Sequence, residues 1–282
     1  MTDPETRWLD LPAGRFRALE WPGGERSAIF LHGLTGVAEV WRPTISRLGT
    51  QRPRCIAIDQ RGHGQSAKPA DEYDVGAFVG DLLGVLNATG MERPHLVGHS
   101  MGARAAMVAA ARHPERFRSV AIVDIGPEAW RANWLASVAA FDRMPREFPT
   151  LEDALGRAGR ARGGESLDAA LASDDELRNI AAARFEEGPD GRFRWRADIE
   201  ALKKAVRAHR ARNYWTEWRS LSLPALFIRG GASNEVRPAI AERMRGENPR
   251  VRFLELDGVG HNIPLIAPGR LAHALAEFWN SA

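Results

Sequence analysis

Short apolar runs alternate with helical repeats along most of the chain, and this alternation predicts the fold. The runs stop at Gly, Pro or polar residues, as buried strands do. They comprise residues 28–31, 54–59, 119–124, 223–229 and 251–256, with a further run that ends at Val97. Apolar residues three and four apart predict helices over residues 73–89 and 268–278. The sequence therefore predicts an α/β fold, a mostly parallel sheet flanked by helices, with its functional loops beyond the strands' carboxyl ends.

Two regions depart from this alternation. Residues 15–21 predict an opening hairpin with its turn at residues 22–24. From residue 128 to 221 the strand-like runs vanish and helical spacing takes over, which predicts an inserted helical cap between two core segments, 1–127 and 222–282. Large aromatic residues in this insertion offer apolar surface for packing or for a pocket. They are Trp130, Trp134, Phe141, Trp195, Trp215 and Trp218.

Composition bounds the class of protein. With 282 residues and 44% hydrophobic content, the chain can bury a full core as one large domain with an insertion. Lys and Arg number 39 against 36 Asp and Glu, a net charge of +3. The arginine-rich stretch from 143 to 219 is interleaved with carboxylates, as a solvated helical face is, so a nucleic-acid partner is not predicted.

Neither a membrane nor redox chemistry is predicted. The polar, acidic first residues do not form a secretory signal, and no uninterrupted apolar run approaches the length of a membrane span, so we expect a cytoplasmic protein. The single cysteine, Cys55, lies in an apolar strand-like run and is expected to be a buried, inert thiol.

The most informative motif is the G-x-S-x-G pentad at residues 98–102. It follows an apolar run and precedes an Ala-rich helical stretch, which places Ser100 on a tight strand-to-helix turn. Glycines at 98 and 102 remove β-carbons that would collide in such a turn. The Met101 amide at the helix start is a donor suited to developing negative charge. A serine nucleophile with half an oxyanion hole is therefore predicted; a Gly-rich loop before a helix is the plainer alternative.

A second glycine-containing loop, residues 32–36, follows the run at 28–31. Its glycines let the backbone approach a ligand closely, which suits a donor such as the Leu34 amide aimed at an anionic oxygen. From this loop and the pentad, His32, Gly33 and His99 are candidates for the substrate pocket, together with Trp130 and Trp134 of the cap.

Four stretches in this order, residues 32–36, 59–66, 98–102 and 258–261, resemble the α/β-hydrolase superfamily, in particular its capped esterases and lactonases. The resemblance spans nearly the whole chain apart from the cap. It implies that Ser100 is the nucleophile and that His261 is the base which takes its proton and returns it to the leaving group. Dehalogenase relatives carry an aspartate at the elbow, so Ser100 argues against that branch.

The acid of the triad departs from the commonest pattern of the superfamily. Many members carry an aspartate in the loop after the cap, but residues 230–235 contain none. Asp124, at the end of the strand before the cap, occupies the alternative site that some esterases and lactonases use, and it is the preferred candidate. Glu235 is the alternative. Either carboxylate must reach the far nitrogen of His261.

The implied reaction is hydrolysis of a small or medium ester or lactone through an acyl-enzyme, with the oxyanion held by the Leu34 and Met101 amides. No cofactor is required, and the eight histidines lack a metal-ligand pattern such as H-E-x-x-H. The expected partner is a small-molecule substrate, and the protein is expected to be a monomer or a homodimer.

Two other functions stay open. One keeps the triad but cleaves a C–C bond or an amide of an aromatic-degradation intermediate, with cap arginines such as Arg131, Arg143 or Arg146 binding substrate carboxylates. The other is a receptor that binds a ligand without turnover. The presence of Ser100, His261 and a candidate acid argues against the receptor.

Overall fold

A mixed eight-stranded sheet forms the centre of the protein in a computed structural model, which describes residues 3–50, 52–128, 138–160 and 175–281. The strands in chain order are β1 (Glu5–Leu11), β2 (Gly14–Trp21), β3 (Gly24–Leu31), β4 (Pro53–Ile58), β5 (His95–His99), β6 (Ser119–Val123), β7 (Glu147–Phe148), β8 (Phe185–Glu187), β9 (Phe193–Trp195), β10 (Ala225–Gly230) and β11 (Arg252–Leu256). The central sheet has the order β1-β2-β4-β3-β5-β6-β10-β11. In this spatial order, the six strands from β4 to the edge strand β11 run parallel to one another, as predicted.

The prediction of an opening hairpin across residues 22–24 is wrong, because the strand over residues 15–21 pairs with the strand before it and not with the strand after it. β2 pairs antiparallel with β1, and the turn falls at residues 12–13 rather than at 22–24. The chain does reverse after Trp21, but β4 lies between β2 and β3, so β3 runs antiparallel to β2 without pairing with it. The alternation along residues 15–21 identifies a strand, but alternation alone does not identify the strand's neighbour.

Helices cover both faces of the sheet. They are α1 (Arg42–Ser46), α2 (Val75–Thr89), α3 (Met101–Arg112), α4 (Leu151–Arg160), α5 (Asp175–Ala182), α6 (Ile199–Arg210), α7 (Trp215–Ser220), α8 (Pro238–Glu247), α9 (Ile263–Ile266) and α10 (Pro268–Asn280). The predicted helix over 73–89 is confirmed as α2. Asp74 caps it by accepting from the backbone N–H groups of the first turn, and Gly90 ends it with φ 64°.

The core lies in two layers, one on each side of the sheet. Because side chains alternate along a strand, Ile29 and Leu31 of β3 pack with α2 and α3, whereas Ala28 and Phe30 pack with α1 and α10. Cys55 is buried in the second layer, as predicted, and burial raises the pKa of its thiol to about 12. In the described part of the chain, no helix combines the length and the apolar character that crossing a bilayer demands.

The segment between β6 and β10 is not purely helical. Residues 138–142, α4, α5, α6 and α7 are helical, but β7, β9 and β8 form a three-stranded antiparallel sheet. Phe148, Phe185 and Trp195 pack on one another there, with centroids 4.3 Å apart for Phe185 and Trp195. Strands of two or three residues are too short to show a period-2 pattern, which is why the sequence did not predict them. The division of the chain into core and cap stays a prediction.

Candidate active site

Ser100 lies on the turn between β5 and α3. Its backbone has φ 53° and ψ −117°, a conformation that costs a residue with a β-carbon about 1–3 kcal/mol. The turn is possible because Gly98 and Gly102 lack the β-carbons that would collide with neighbouring backbone. A β-carbon on Gly98 would lie 2.6 Å from Ala103 N, and one on Gly102 would lie 2.6 Å from His32 O. Steric contact therefore requires glycine at both of these positions.

Ser100, His261 and Asp124 form a continuous chain of hydrogen bonds. The Ser100 hydroxyl lies 2.9 Å from His261 Nε2, and His261 Nδ1 lies 2.7 Å from Asp124 Oδ2. A carboxylate only accepts hydrogen bonds, so the proton of the neutral imidazole is on Nδ1 and Nε2 is left to accept from the serine. The imidazole is thus oriented as a base toward Ser100.

Asp124 is completely buried at the carboxyl end of β6, and three donors satisfy it. Oδ1 accepts from Gly230 N–H at 3.0 Å, and Oδ2 accepts from Ser233 Oγ–H at 2.5 Å as well as from His261. β6 and β10 are parallel neighbours, so the loop after β10 begins beside the end of β6. This adjacency brings Gly230 and Ser233 to the carboxylate.

The alternative acid, Glu235, lies in the same loop but is directed elsewhere. Its carboxylate forms an ion pair with Arg210 at 3.2 Å, and its backbone N–H donates to Ser233 Oγ at 3.2 Å. The structure thus brings Asp124, and not Glu235, to His261. Ser233 was not predicted as a site residue. The available signal was its position in the loop after β10, which contains no aspartate of its own.

The two predicted oxyanion donors belong to loops that meet at Ser100. A β-carbon on Gly33 would lie 3.1 Å from Ser100 Cβ, so the loop at residues 32–36 passes directly against the serine. Leu34 follows Gly33, and Thr35 has φ 63°. Met101 is the first residue of α3, where backbone N–H groups lack partners within the helix, and the Ser100 side chain does not cap them. The helix dipole adds a positive potential at the same place.

Two of the pocket candidates hold the site together instead. His32 is fully buried: Nδ1–H donates to Gly33 O at 2.8 Å, and Nε2 accepts from Gln60 N–H at 3.1 Å. Burial lowers the pKa of His32 to about 4, so the ring is neutral. His99 donates from Nε2 to the backbone carbonyl of His261 at 2.8 Å. Both rings use these nitrogens to fix the loops around Ser100.

A cavity of about 30 Å³ opens beside the predicted oxyanion residues. Its lining combines apolar side chains with three basic ones and consists of Leu34, Met101, Arg104, Ile125, Ala205, Val206, His209 and Arg210. Arg104 was not predicted as a site residue, although an arginine inside an otherwise apolar, Ala-rich helix was the visible signal. Among the described residues, no group of three or more His, Cys, Asp or Glu side chains is arranged to hold a metal ion.

The residues of the predicted cap that were proposed to line a pocket or to bind substrate lie in different places. Trp130, Trp134 and Arg131 lie outside the described residues. Arg143 is exposed, and Arg146 pairs with Glu200 at 2.8 Å on the surface. The four other aromatic residues of the predicted cap, Phe141, Trp195, Trp215 and Trp218, are buried. None of these described residues lines the cavity.

Comparison with known proteins agrees with this architecture. A sequence model of the alpha/beta hydrolase fold matches residues 29–268. The 2-(acetamidomethylene)succinate hydrolase of Mesorhizobium japonicum is 30% identical over 253 residues, covering 89% of this chain and 86% of that protein. Epoxide hydrolase A of Mycobacterium tuberculosis is 27% identical over 322 aligned positions, covering 99% and 98%.

A solved structure extends the similarity. The crystal structure of E-2-(acetamidomethylene)succinate hydrolase matches with a TM-score of 0.87 and 25% identity, covering 98% of this chain and 99% of that one. The alignment therefore extends over the described parts of the segment between β6 and β10 as well as over the central sheet.

Proposed function

Since the chain belongs to the alpha/beta hydrolase fold family, we propose that it is a serine hydrolase that cleaves a small ester or lactone through an acyl-enzyme. The observation that carries this proposal is the hydrogen-bonded chain from Ser100 through His261 to Asp124. A nucleophile, a base and a group that orients the base are the parts that acyl transfer requires.

The reaction follows from the positions of these groups. His261 Nε2, 2.9 Å from Ser100 Oγ, takes the hydroxyl proton as the oxygen attacks the substrate carbonyl. The N–H groups of Leu34 and Met101 are the proposed donors to the oxyanion of the tetrahedral intermediate. His261 then protonates the leaving group, and a water molecule activated in the same way releases the acid from the acyl-serine.

Asp124 supports His261 in two ways. By accepting from Nδ1–H at 2.7 Å, it selects the tautomer that leaves Nε2 free to act as a base. Its negative charge also stabilises the imidazolium that forms during attack. Complete burial keeps water from competing for the same contact.

Amide hydrolysis is the second candidate, and the comparisons favour it specifically. A relative that is 30% identical is named for a substrate with an acetamido group. The same triad serves an amide, provided that His261 protonates the departing nitrogen.

The similarity to an epoxide hydrolase does not support an epoxide as the substrate of this protein. Attack by a serine on an epoxide carbon would leave an ether, which has no carbonyl for water to attack. The enzyme would then stay alkylated, so Ser100 fits acyl substrates and not epoxides.

The test compares the wild type with Ser100→Ala on p-nitrophenyl acetate, γ-butyrolactone and p-nitroacetanilide. Hydrolysis of at least one of them is expected, with a loss of about a millionfold in kcat for the variant. A fluorophosphonate probe is expected to add its mass to the wild type and not to Ser100→Ala. A wild type that turns over none of them and resists the probe would favour the receptor interpretation.

A further inference from the structure

Arg104 is a buried cation without a carboxylate partner in the described part of the chain. It lies on α3, one turn beyond Ser100, and only 2% of it is exposed. Nη1 donates to His209 O at 2.6 Å and Nη2 to Gly126 O at 3.3 Å, while Nε has no hydrogen-bond partner within the described ranges. These partners are neutral carbonyls, so they do not neutralise the guanidinium.

Two neighbours of Arg104 bring further polar groups to the cavity. His209 is 3% exposed, and neither of its ring nitrogens has a hydrogen-bond partner among the described residues. Arg210 also lines the cavity, and its partner Glu235 is the carboxylate in this group. Of the groups that the structure describes there, two guanidinium groups and one carboxylate leave a net charge of +1 beside the cavity.

Burial is the main reason that the pKa of Arg104 falls to about 10 and that of His209 to about 3, and neighbouring cations contribute the smaller part of each shift. At neutral pH the guanidinium is therefore still charged, whereas the imidazole is neutral and offers one donor and one acceptor. An anion that enters the cavity meets a charge that water does not screen.

A buried charge without a partner is destabilising, and proteins rarely retain one unless a ligand or a second charge balances it. A planar guanidinium matches a carboxylate in shape and hydrogen-bond geometry. The rest of the lining, which includes Ile125, Ala205 and Val206, is apolar and suits a short carbon chain. The cavity also adjoins Leu34 and Met101, where the scissile carbonyl is proposed to bind.

We propose that this cavity binds a free carboxylate of the substrate, through Arg104 with His209 and Arg210. The substrate class is then an acyl compound that carries a second, ionised carboxyl group a short carbon chain away from the carbonyl that Ser100 attacks. This inference rests on the proposed function of Ser100 as the nucleophile.

The first test uses two substrates that differ only in charge, mono-p-nitrophenyl succinate and its methyl ester. For the wild type, kcat/KM is expected to be about 10- to 100-fold higher for the free acid, the range of a charge-assisted hydrogen bond. Arg104→Met is expected to abolish this preference. Arg207→Met, which removes an exposed arginine of α6, is expected to retain it.

A second test does not depend on turnover or on the folding of one variant. Monomethyl succinate is titrated calorimetrically into Ser100→Ala, with neutral dimethyl succinate as the control ligand. Binding of the monoanion alone is expected. Arg210→Met in the Ser100→Ala background is expected to weaken that binding about tenfold or more. If Arg104→Met does not fold, this variant and the wild-type preference decide the matter.

The outcomes separate the two proposals. Ser100-dependent hydrolysis without preference for the free acid, and without binding of monomethyl succinate, would overturn the carboxylate site and leave the proposed function standing. Monoanion binding that depends on Arg210, in a protein that hydrolyses no acyl compound, would overturn the proposed function and support the site. Equal binding of both ligands would refute the role of charge.

Discussion

Replacing Asp124 with asparagine tests the triad most directly, because asparagine keeps the shape of the side chain and exchanges one acceptor oxygen for an NH2 donor. In the structure Oδ1 accepts from Gly230 N–H, and Oδ2 accepts from Ser233 and His261. The Gly230 N–H is a fixed donor. The Ser233 hydroxyl can rotate and become an acceptor.

These neighbours fix the orientation of the new amide. With its oxygen toward Gly230, the NH2 group takes the place of Oδ2, and the Ser233 hydroxyl turns to accept from it. The reverse orientation sets NH2 against Gly230 N–H and leaves a buried donor unsatisfied, which costs about 1–3 kcal/mol. The first orientation is therefore expected.

In that orientation His261 Nδ1 must accept from the amide, so its proton moves to Nε2. That nitrogen lies 2.9 Å from Ser100 Oγ and no longer accepts the serine proton. A base held in the wrong tautomer costs about 10,000-fold in kcat. This loss corresponds to about 5 kcal/mol of transition-state stabilisation.

The assay is steady-state hydrolysis of p-nitrophenyl acetate, together with a thermal melt to show that each variant is folded. Asp257→Asn, an exposed carboxylate shortly before His261 in the sequence, is the matched control and is expected to match the wild type. Glu235→Gln is expected to keep most of its kcat because its carboxylate contacts Arg210. If Asp124→Asn loses less than about tenfold in kcat, or if Glu235→Gln loses as much as Asp124→Asn, the assignment of the acid is wrong.

Three further predictions concern support of the site and stability. Ser233→Ala removes the hydroxyl that donates to the triad aspartate at 2.5 Å, and kcat is expected to fall about 10- to 100-fold; an unchanged kcat would show that this bond has no catalytic effect. Gly102→Ala places a β-carbon 2.6 Å from a backbone oxygen and is expected to lower the free energy of unfolding in urea by about 1–3 kcal/mol. Gly80→Ala is its control: a β-carbon added there, in α2, would have no contact within 4 Å with another element of the described structure, and this substitution is expected to raise the same quantity by about 1 kcal/mol. Burial lowers the pKa of His95 to about 4, so the unfolded chain binds more protons between pH 6.5 and 4, and the free energy of unfolding falls as the pH falls through that window. Burial also lowers the pKa of His32 and His209, so His95→Asn is expected to reduce the slope by the share of one titrating group, and by more than the control His273→Asn at an exposed position; equal slopes for both variants would contradict this expectation.

The sequence predicted those parts of the fold whose signal is local. Compact apolar runs identified the parallel strands, and a 3.6-residue spacing identified α2 and α10, because both patterns reflect which side faces the core. Pairing is not local. The neighbour of β2 depends on a crossover that brings β4 between β2 and β3, and nothing in residues 15–24 encodes it.

The residues of the site likewise divide into those with a local sequence signal and those whose role depends on tertiary contacts. Ser100 and His261 are in motifs that a single sequence displays, whereas the choice between Asp124 and Glu235 depends on which carboxylate reaches His261. That distance is set by the adjacency of β6 and β10, a tertiary property. Ser233 and Arg104 were missed for the same reason, since a serine in a loop and an arginine in a helix have many ordinary roles.

Backbone strain connects the fold to the chemistry. In the described part of the chain, Thr35, Ser100 and Asp124 are three of the five residues other than glycine with positive φ, and all three surround the candidate site. Each comes at or soon after the carboxyl end of a parallel strand, β3, β5 or β6. Glycine would relieve the strain at each position, which is of order 1–3 kcal/mol. It would also remove the hydroxyl of Ser100 or the carboxylate of Asp124. The strain persists because a packed sheet holds the strand ends in place, and two of the side chains that it directs, those of Ser100 and Asp124, are required by the proposed reaction.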